Sequence, residues 1–597
     1  MKHQPKHGFW DIPYFRIPLL YNQKYLSTMI TRIYRAGFLC LITIFLFNSC
    51  QDERLLPEVE MHEKLFGEKL ENPYSVENMQ KAWDNVKPEL SKSGRFNVEN
   101  VNITTTHYYV RFLPKDSIEL DILLKDTVLE LYTYPLDYEQ TISGEFNYHD
   151  PSIPLDKPTY QYTVVLADYD FPNIDYEILD ELFLPDEIGH TPGGRVVYPI
   201  EPCIQPYLVN EAMRITQNYS EIAPIEDCGG GNSGGGGSYG GGSSGGGSTG
   251  ECRRCPKGQI LVENPYSGKI FRDGKFYDGV PKVKARARKW FKIKTAYTND
   301  DGEFVIKHVF GGNREVNYGI KYSNHHALVR PVAVGFGPAF LNGPKQSGPW
   351  EYRSNRGSRS YLWGTIMRGV YDYHYIWAPK FNIGRPPNDI KIRACAGNDC
   401  GSMNMLHKIT EVPTGGLGRW VFSDIRIGNK DDEYNTLYKT VIHELGHAAH
   451  WNLVGDWVPD KTWNMMFSKK MVREAWASGI ADEVHYFKFP VIGRWYDPCF
   501  INNKNGNYGV NAMIDDGYPR VLVRDLIDTT NEFNPLRREC DLNDQVYGFT
   551  LSEVFYALKG ANSNKTNTAM SEWRDNLIYK RPNQKINLIN YFQQWEK

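Results

Sequence analysis

Apolar and polar positions fall into distinct regimes along the chain, and each regime predicts its own kind of element. Early on, Val76, Met79 and Trp83 share one face of a helix, whereas Thr104–Phe112, Ile118–Leu124, Thr127–Thr133 and Tyr160–Val165 alternate or cluster apolar residues as strands do. An α+β domain is expected over residues 51–228. Between 255 and 330 the runs Gln259–Val262, Lys282–Arg288, Phe291–Thr298, Glu303–His308 and Val316–Tyr322 are short and separated by turn residues. Asn299-Asp300-Asp301-Gly302 is the clearest turn, because Asp-Gly tolerates the positive φ of a tight hairpin. That spacing predicts a small β-sandwich. From 331 to 597 helical periods dominate. Thr550-Leu551-Ser552-Glu553 forms a capping box that opens a helix through about Leu558, and Ser571–Tyr579 and Lys585–Trp595 continue the pattern as a helical lobe.

Length agrees with this division, since 597 residues at about 100–200 per domain suggest several folded units. Residues 229–250 hold 14 glycines in 22 positions with Ser, Asn, Thr and one Tyr. Such a segment has nothing to bury and spans roughly 26 Å as a flexible coil, so it separates two independently folded parts. Lys and Arg total 68 against 71 Asp and Glu, a net charge of −3 that gives no basic field for nucleic acid.

The remaining long apolar run lies near the start. Met29-Ile30-Thr31-Arg32-Ile33-Tyr34-Arg35 precedes the uncharged stretch Ala36–Phe47 and then Asn48-Ser49-Cys50. A basic region, a short apolar core and a small residue before cysteine make an export signal, too short to span a bilayer as a mature helix, with translation starting at Met1 or Met29. Residues 1–50 are expected to be removed or modified. The ending resembles the lipobox of bacterial lipoproteins, which implies acylation of Cys50, and Gln51-Asp52-Glu53 resembles the signal that sends such lipoproteins to the outer surface. Eight further cysteines in an exported chain permit disulfides. Proximity favours Cys395 with Cys400 and Cys499 with Cys540. Cys252-Arg253-Arg254-Cys255 reads as a structural disulfide beside the tether in preference to a redox pair or a zinc site with Cys203 and Cys228.

The chemistry concentrates in Thr440-Val441-Ile442-His443-Glu444-Leu445-Gly446-His447-Ala448-Ala449-His450-Trp451. On a helix, positions i and i+4 stand one above the other, so His443 and His447 can both reach one Zn2+ at about 2.0–2.1 Å. Glu444 is then placed to take the proton that the ion loosens from a water. With 15 histidines in the chain, the His-Glu-x-x-His pattern arises by chance roughly 0.02 times. A third ligand must come from elsewhere. The metzincin pattern fails, with Leu453 in place of its last histidine. His450 on the same rigid helix converges poorly with the other two, so it is expected to pack or hydrogen-bond beside them. A second helical pattern, Val472–His485, offers Glu474, Asp482 and Glu483.

These stretches together resemble the gluzincin type of zinc metallopeptidase, in particular zinc-dependent lipoproteins of gut Gram-negative bacteria with His-Glu-Leu-x-His-x-x-His-Trp followed by Glu-Ser-Trp-Ala. The resemblance implies a zincin-like domain with a helical C-terminal lobe over 331–597, with His443, His447 and Glu474 as ligands and Glu444 as catalytic base. Ser478 stands where many gluzincins have a supporting aspartate. The "TNDDGEF" turn resembles the Ig-like, carboxypeptidase regulatory-like domain. A strand at Val421–Ile427 is expected at the cleft edge, where an extended peptide can pair with it. His485, Tyr508 and Tyr518 are candidates for stabilising the transition state. The expected function is a monomeric, surface-anchored outer-membrane lipoprotein that hydrolyses extracellular protein or peptide substrates, attached to the membrane through lipid and binding no nucleic acid. The alternative is a surface adhesin or host-ligand binder on a low-activity zincin scaffold.

Overall fold

The computed structural model describes residues 66–593 apart from 191–195, 226–251, 332–336, 396–402, 405–423, 455–465, 491–513, 529–544, 562–567 and a few isolated positions. The expected leader with Cys50, the 229–250 tether, Cys400, Cys499, Cys540 and Tyr508 lie outside the described residues.

The described chain is mixed α+β. Its first part runs β1 (Phe66–Lys69), α1 (Val76–Ser93), β2 (His107–Phe112), α2 (Ser117–Lys125), β3 (Tyr138–Gln140), β4 (Gln161–Leu166), β5 (Tyr176–Leu182), the short pair β6 (Gly189–His190) and β7 (Val196–Val197), and α3 (Gln205–Ile215). An antiparallel sheet in the order β4-β2-β5 packs with α1 and α3 in a core that buries Met79, Trp83, Tyr109, Leu208 and Met213. Two expected strands are absent here. Ile118–Leu124 is helix, because the Asp116 side chain caps the N–H groups of Ile118 and Glu119 at 2.8 and 3.0 Å. Its alternation was misleading, since Leu120 and Leu123 are buried while Ile122 is 48% exposed. Within Thr127–Thr133 only Tyr132 pairs, as an isolated bridge to Tyr162.

After the tether come β8 (Lys257–Glu263), β9 (Ile270–Arg272), β10 (Lys275–Gly279), β11 (Lys284–Lys289), β12 (Lys292–Tyr297), β13 (Glu303–Val305), β14 (Val316–Lys321), β15 (Ala327–Arg330), β16 (Phe340–Gln346) and β17 (Trp350–Ser354). Two sheets form, β13-β8-β10-β9 with β17 parallel to β8, and β12-β11-β14-β16. They meet through the rings of Phe304 and Trp350 on one and Tyr318 on the other. The Asn299–Gly302 turn has Gly302 at φ 77° as its sequence requires, with Asn299 Oδ1 accepting from the N–H groups of Asp301 and Glu303. It closes no hairpin, however, and instead hands the chain from β12 in one sheet to β13 in the other.

The boundary expected at 330 is also crossed. β15 leaves to join a third sheet with β18 (Ile390–Cys395), β19 (Met403–Asn404) and β20 (Ile425–Gly428), while β16 and β17 return to the first two. The third sheet, ordered β15-β18-β20-β19, is parallel except for its outer strand β19. α4 (Arg359–Asp372) continues through a π-helical turn at Tyr373–Trp377 into α5 (Ala378–Phe381). Long helices α6 (Tyr434–Val454) and α7 (Met466–Lys488) follow, then the ladder of β21 (Ile514–Asp515) and β22 (Tyr518–Pro519), α8 (Leu522–Ile527), α9 (Leu551–Ala557), α10 (Thr568–Lys580) and α11 (Lys585–Phe592). Thr550 and Glu553 make the expected reciprocal capping box at the start of α9. One apolar core runs from Ile260 to Phe592.

The parts on either side of the tether share buried surface. Trp290 and Phe291, at the β11–β12 turn, insert into the core of the first part. Arg286 lies 4.1 Å over the Tyr132 ring and donates to the Leu131 carbonyl at 3.1 Å, and Lys292 donates to Asp186 at 2.6 Å. The independence read from the glycine run therefore does not hold. Cys252 and Cys255 are disulfide-bonded to each other, which leaves no thiolates there for a zinc site, and Cys203 and Cys395 each take part in a disulfide as well.

Candidate metal centre

Two helices build the centre. α6 carries Leu437, Val441 and Leu445 toward the core, which leaves His443 and His447 on another face. Its packing is unusually close on two sides. A Cβ on Gly369 of α4 would meet Val441 Cγ1 at 2.5 Å, and a Cβ on Gly446 would meet Ile480 Cγ2 at 2.8 Å and the Ala477 Cα at 3.3 Å. Glycine at 446 thus sets how near α7 can come. The buried Trp476 indole fastens the crossing by donating to the Gly446 carbonyl at 3.2 Å. Lys439 of α6 forms an ion pair with Asp482 of α7 farther along.

This crossing brings Glu474 to the histidines. His443 Nε2 lies 3.1 Å from His447 Nε2, and each lies 3.3 Å from Glu474 Oε2. Tetrahedral zinc with bonds of about 2.0–2.1 Å needs ligand atoms about 3.3–3.4 Å apart. Two imidazole nitrogens and a carboxylate oxygen are also a zinc donor set. Among the described residues this is the group of His, Cys, Asp or Glu that could hold a metal ion. Burial lowers His447 to about 4, so it is neutral near pH 7, the form that ligates. Burial opposes ionisation of Glu474, but hydrogen bonds from both imidazoles outweigh it and hold the carboxyl far below its ordinary range.

No family model and no curated protein matches this chain.

Glu444 is 4% exposed. Burial raises its carboxyl to about 7, with His443 and Arg426 opposing and Glu474 reinforcing the shift. A carboxyl near neutrality beside a ligand set suits proton transfer. Ser478 brings its hydroxyl 3.5 Å from His443 Nδ1, at the limit of a hydrogen bond, on the side where support for that ring is needed. His450 is buried within α6 and lowered to about 3 by burial, with His447 and Arg473 adding; its Nε2 finds no hydrogen-bond partner among the described residues.

Other expected residues stand elsewhere. Asp482 is engaged by Lys439, and Glu483 is influenced by Arg524 and Lys380, so neither joins the ligand group. His485 is eleven residues beyond Glu474 on the same helix, about 16 Å along its axis, with its ring against Phe489. It is not brought to the metal group. Tyr518 lies in β22, which packs along α7. Ile425–Gly428 is paired on both sides, to β18 and β19, so an extended peptide cannot add to it; the outer strand is Met403–Asn404. Sequence reasoning missed Gly446, Trp476 and Arg426. The glycine inside the motif facing a run of small residues, Ala475-Trp476-Ala477-Ser478-Gly479, is the signal of a close helix crossing that could have pointed to the first two.

Proposed function

We propose that this protein is a zinc-dependent metallopeptidase, exported and anchored by lipid at Cys50 on a bacterial outer membrane, that hydrolyses peptide bonds of extracellular protein. The observation that carries the reading is the triangle of His443 Nε2, His447 Nε2 and Glu474 Oε2, with edges of 3.1–3.3 Å, beside the buried Glu444. When bound, zinc supplies Lewis acidity that polarises a carbonyl and acidifies water. The chain's own residues do the rest. Glu444 takes a proton onto its carboxylate oxygen as water attacks the carbonyl carbon, then delivers it to the amide nitrogen as the C–N bond breaks. Burial keeps competing water from that carboxyl and suits it to hold the proton between the two events.

The test combines zinc content with product mapping on a peptide library. Glu444→Gln should keep its zinc and lose about 10²–10⁴-fold in kcat/KM; full activity in that variant refutes the reading. Glu474→Ala should lose zinc. Zinc retention with no hydrolysis by the unmodified protein would favour the surface-binder alternative.

A further inference from the structure

The first part of the chain holds a cavity of about 600 Å³ beside the β4-β2-β5 sheet. Its walls include the rings of Tyr138, Tyr148, Tyr162 and Phe291. Three of these, Tyr148, Tyr162 and Phe291, are buried and therefore fixed in place before any ligand arrives, and Tyr109 packs against Tyr162 and Phe291 at 6.3 and 4.9 Å. The polar lining holds four carboxylates, Glu71, Asp137, Asp150 and Asp180, against two cations, Lys69 and Arg111. Both cations are committed or mobile. Arg111 pairs with Glu177 at 2.7 Å, outside the cavity, and also hydrogen-bonds the Tyr162 side chain at its wall, and Lys69 reaches Asp137 at 3.4 Å with a side chain 65% exposed.

Two of the carboxylates, Asp137 and Asp180, act on each other and have neutral hydrogen-bond donors. Asp137 accepts from the Tyr109 hydroxyl at 3.1 Å, and Asp180 accepts from Asn72 Nδ2 at 2.7 Å. Burial raises the Asp180 carboxyl despite that hydrogen bond, and the Asp137 charge adds to the rise. A neighbouring cavity of about 560 Å³ shares Glu71, Asn72, Leu179 and Asp180, adds Glu77 and Glu181, and has no basic residue in its lining.

We propose that this cavity binds a cationic side chain, arginine or lysine, presented by a protein or peptide partner. Aromatic faces carry negative electrostatic potential and attract a guanidinium or ammonium, while the stems of these side chains cover apolar surface. The lining carboxylates supply charge-assisted acceptors, and the repulsion between Asp137 and Asp180 is relieved when the cation enters. A neutral sugar could stack on the rings but would leave that repulsion in place, and an anion would increase it. Apart from Phe291, the site is built from residues before the tether, and it does not depend on the metal centre being catalytic.

The test is fluorescence anisotropy with a labelled Gly-Arg hexapeptide repeat, titrated with the full mature protein at low and moderate salt, with and without a zinc chelator. We expect saturable binding that weakens with salt, is absent for the Gly-Glu repeat, and survives chelation. The double substitution Asp137→Asn with Asp180→Asn keeps the acceptors for Tyr109 and Asn72 and should weaken binding about tenfold, and Tyr138→Ala about threefold to tenfold. Circular dichroism checks that both variants fold. No saturable binding, unchanged binding in the folded double variant, loss on chelation, or displacement by maltohexaose but not by free arginine would each overturn the proposal.

Discussion

Gly446→Ala tests whether the helix crossing sets the metal site. The added Cβ would sit 2.8 Å from Ile480 Cγ2 and 3.3 Å from the Ala477 Cα, whereas carbons in contact stand about 3.5–4.0 Å apart. A β-branched side chain and a backbone atom cannot both turn away, so α6 and α7 must part by about 0.5–1 Å at this level. Overpacking of this kind costs about 1–3 kcal/mol, and alanine returns about 1 kcal/mol of helix propensity over glycine. Global stability should therefore fall only slightly. The ligand set responds differently, because it straddles the crossing: His443 and His447 ride on α6 and Glu474 on α7. Their 3.3 Å separations would widen toward 4 Å, and metal bonds tolerate only about 0.2 Å.

We expect zinc affinity to fall about 10–100-fold, the range seen when groups that orient ligands are removed. Competition against a chromophoric chelator measures that affinity, and thermal melts in excess chelator measure stability separately. Adding Ile480→Ala removes the nearer clash and should restore part of the affinity. Zinc binding within twofold of the parent in Gly446→Ala, with a normal melt, would refute the argument that the close approach fixes the ligands.

Lys488 lies between two buried carboxylates, 3.2 Å from Asp278 and 3.3 Å from Asp372, which also accepts from the Tyr438 hydroxyl at 2.7 Å. Lys488→Met leaves Asp278 without its cation and Asp372 with Arg368 alone at 2.9 Å, and should cost about 3–5 kcal/mol in a urea titration; a loss under 1 kcal/mol would contradict the role assigned to it. Acid should loosen the contact across the tether. Despite burial, Lys292 holds Asp186, and Lys289 with Lys345 holds Glu221, below their ordinary values. That stability is complete above the ordinary carboxylate values near 4 and is lost as pH falls below them. The denaturation midpoint should drop steeply below about pH 4, and Lys292→Met should lower the midpoint at neutral pH and flatten its fall in acid, because Asp186 is then no longer held below its ordinary value in the folded state; coincident profiles would argue against it.

What the sequence disclosed follows from the range of the interactions involved. His443, Glu444 and His447 were legible because their relation is local, one helical turn, and the cap of Thr550 with Glu553 was legible for the same reason. Glu474 needed a resemblance, since nothing within α7 distinguishes it from Asp482 or Glu483 until α6 is laid against it. The strands on either side of Gly302 were read well, but their sheet membership was not, because a turn fixes local φ and not which partner the next strand finds. Ile118–Leu124 failed through its period: an alternating run also carries Leu120 and Leu123, and the cap at Asp116 decided for helix. The boundary at 330 was misplaced because β15 and β16 serve different sheets, a long-range choice with no punctuation in composition.

The tether's composition suggests a removable N-terminal part, and the geometry argues against removal as a means of opening the metal group. Along β18, Ile390, Ile392 and Ala394 enter the core that holds α6, so the alternation of a strand turns Lys391 and Arg393 to the opposite face. There Lys391 meets the buried Asp121 of α2 at 3.0 Å. The first part of the chain thus covers the back of the sheet whose front supports His443 and His447. Arg286, Lys289 and Lys292, all buried, have partners on that same first part. Releasing it would strip three cations of their acceptors and expose Trp290 and Phe291, each change costing far more than a flexible coil of glycines contributes to holding the parts together. A cut in the tether would therefore leave the two parts joined, and the N-terminal part serves as a backing for the centre and the wall of a second site.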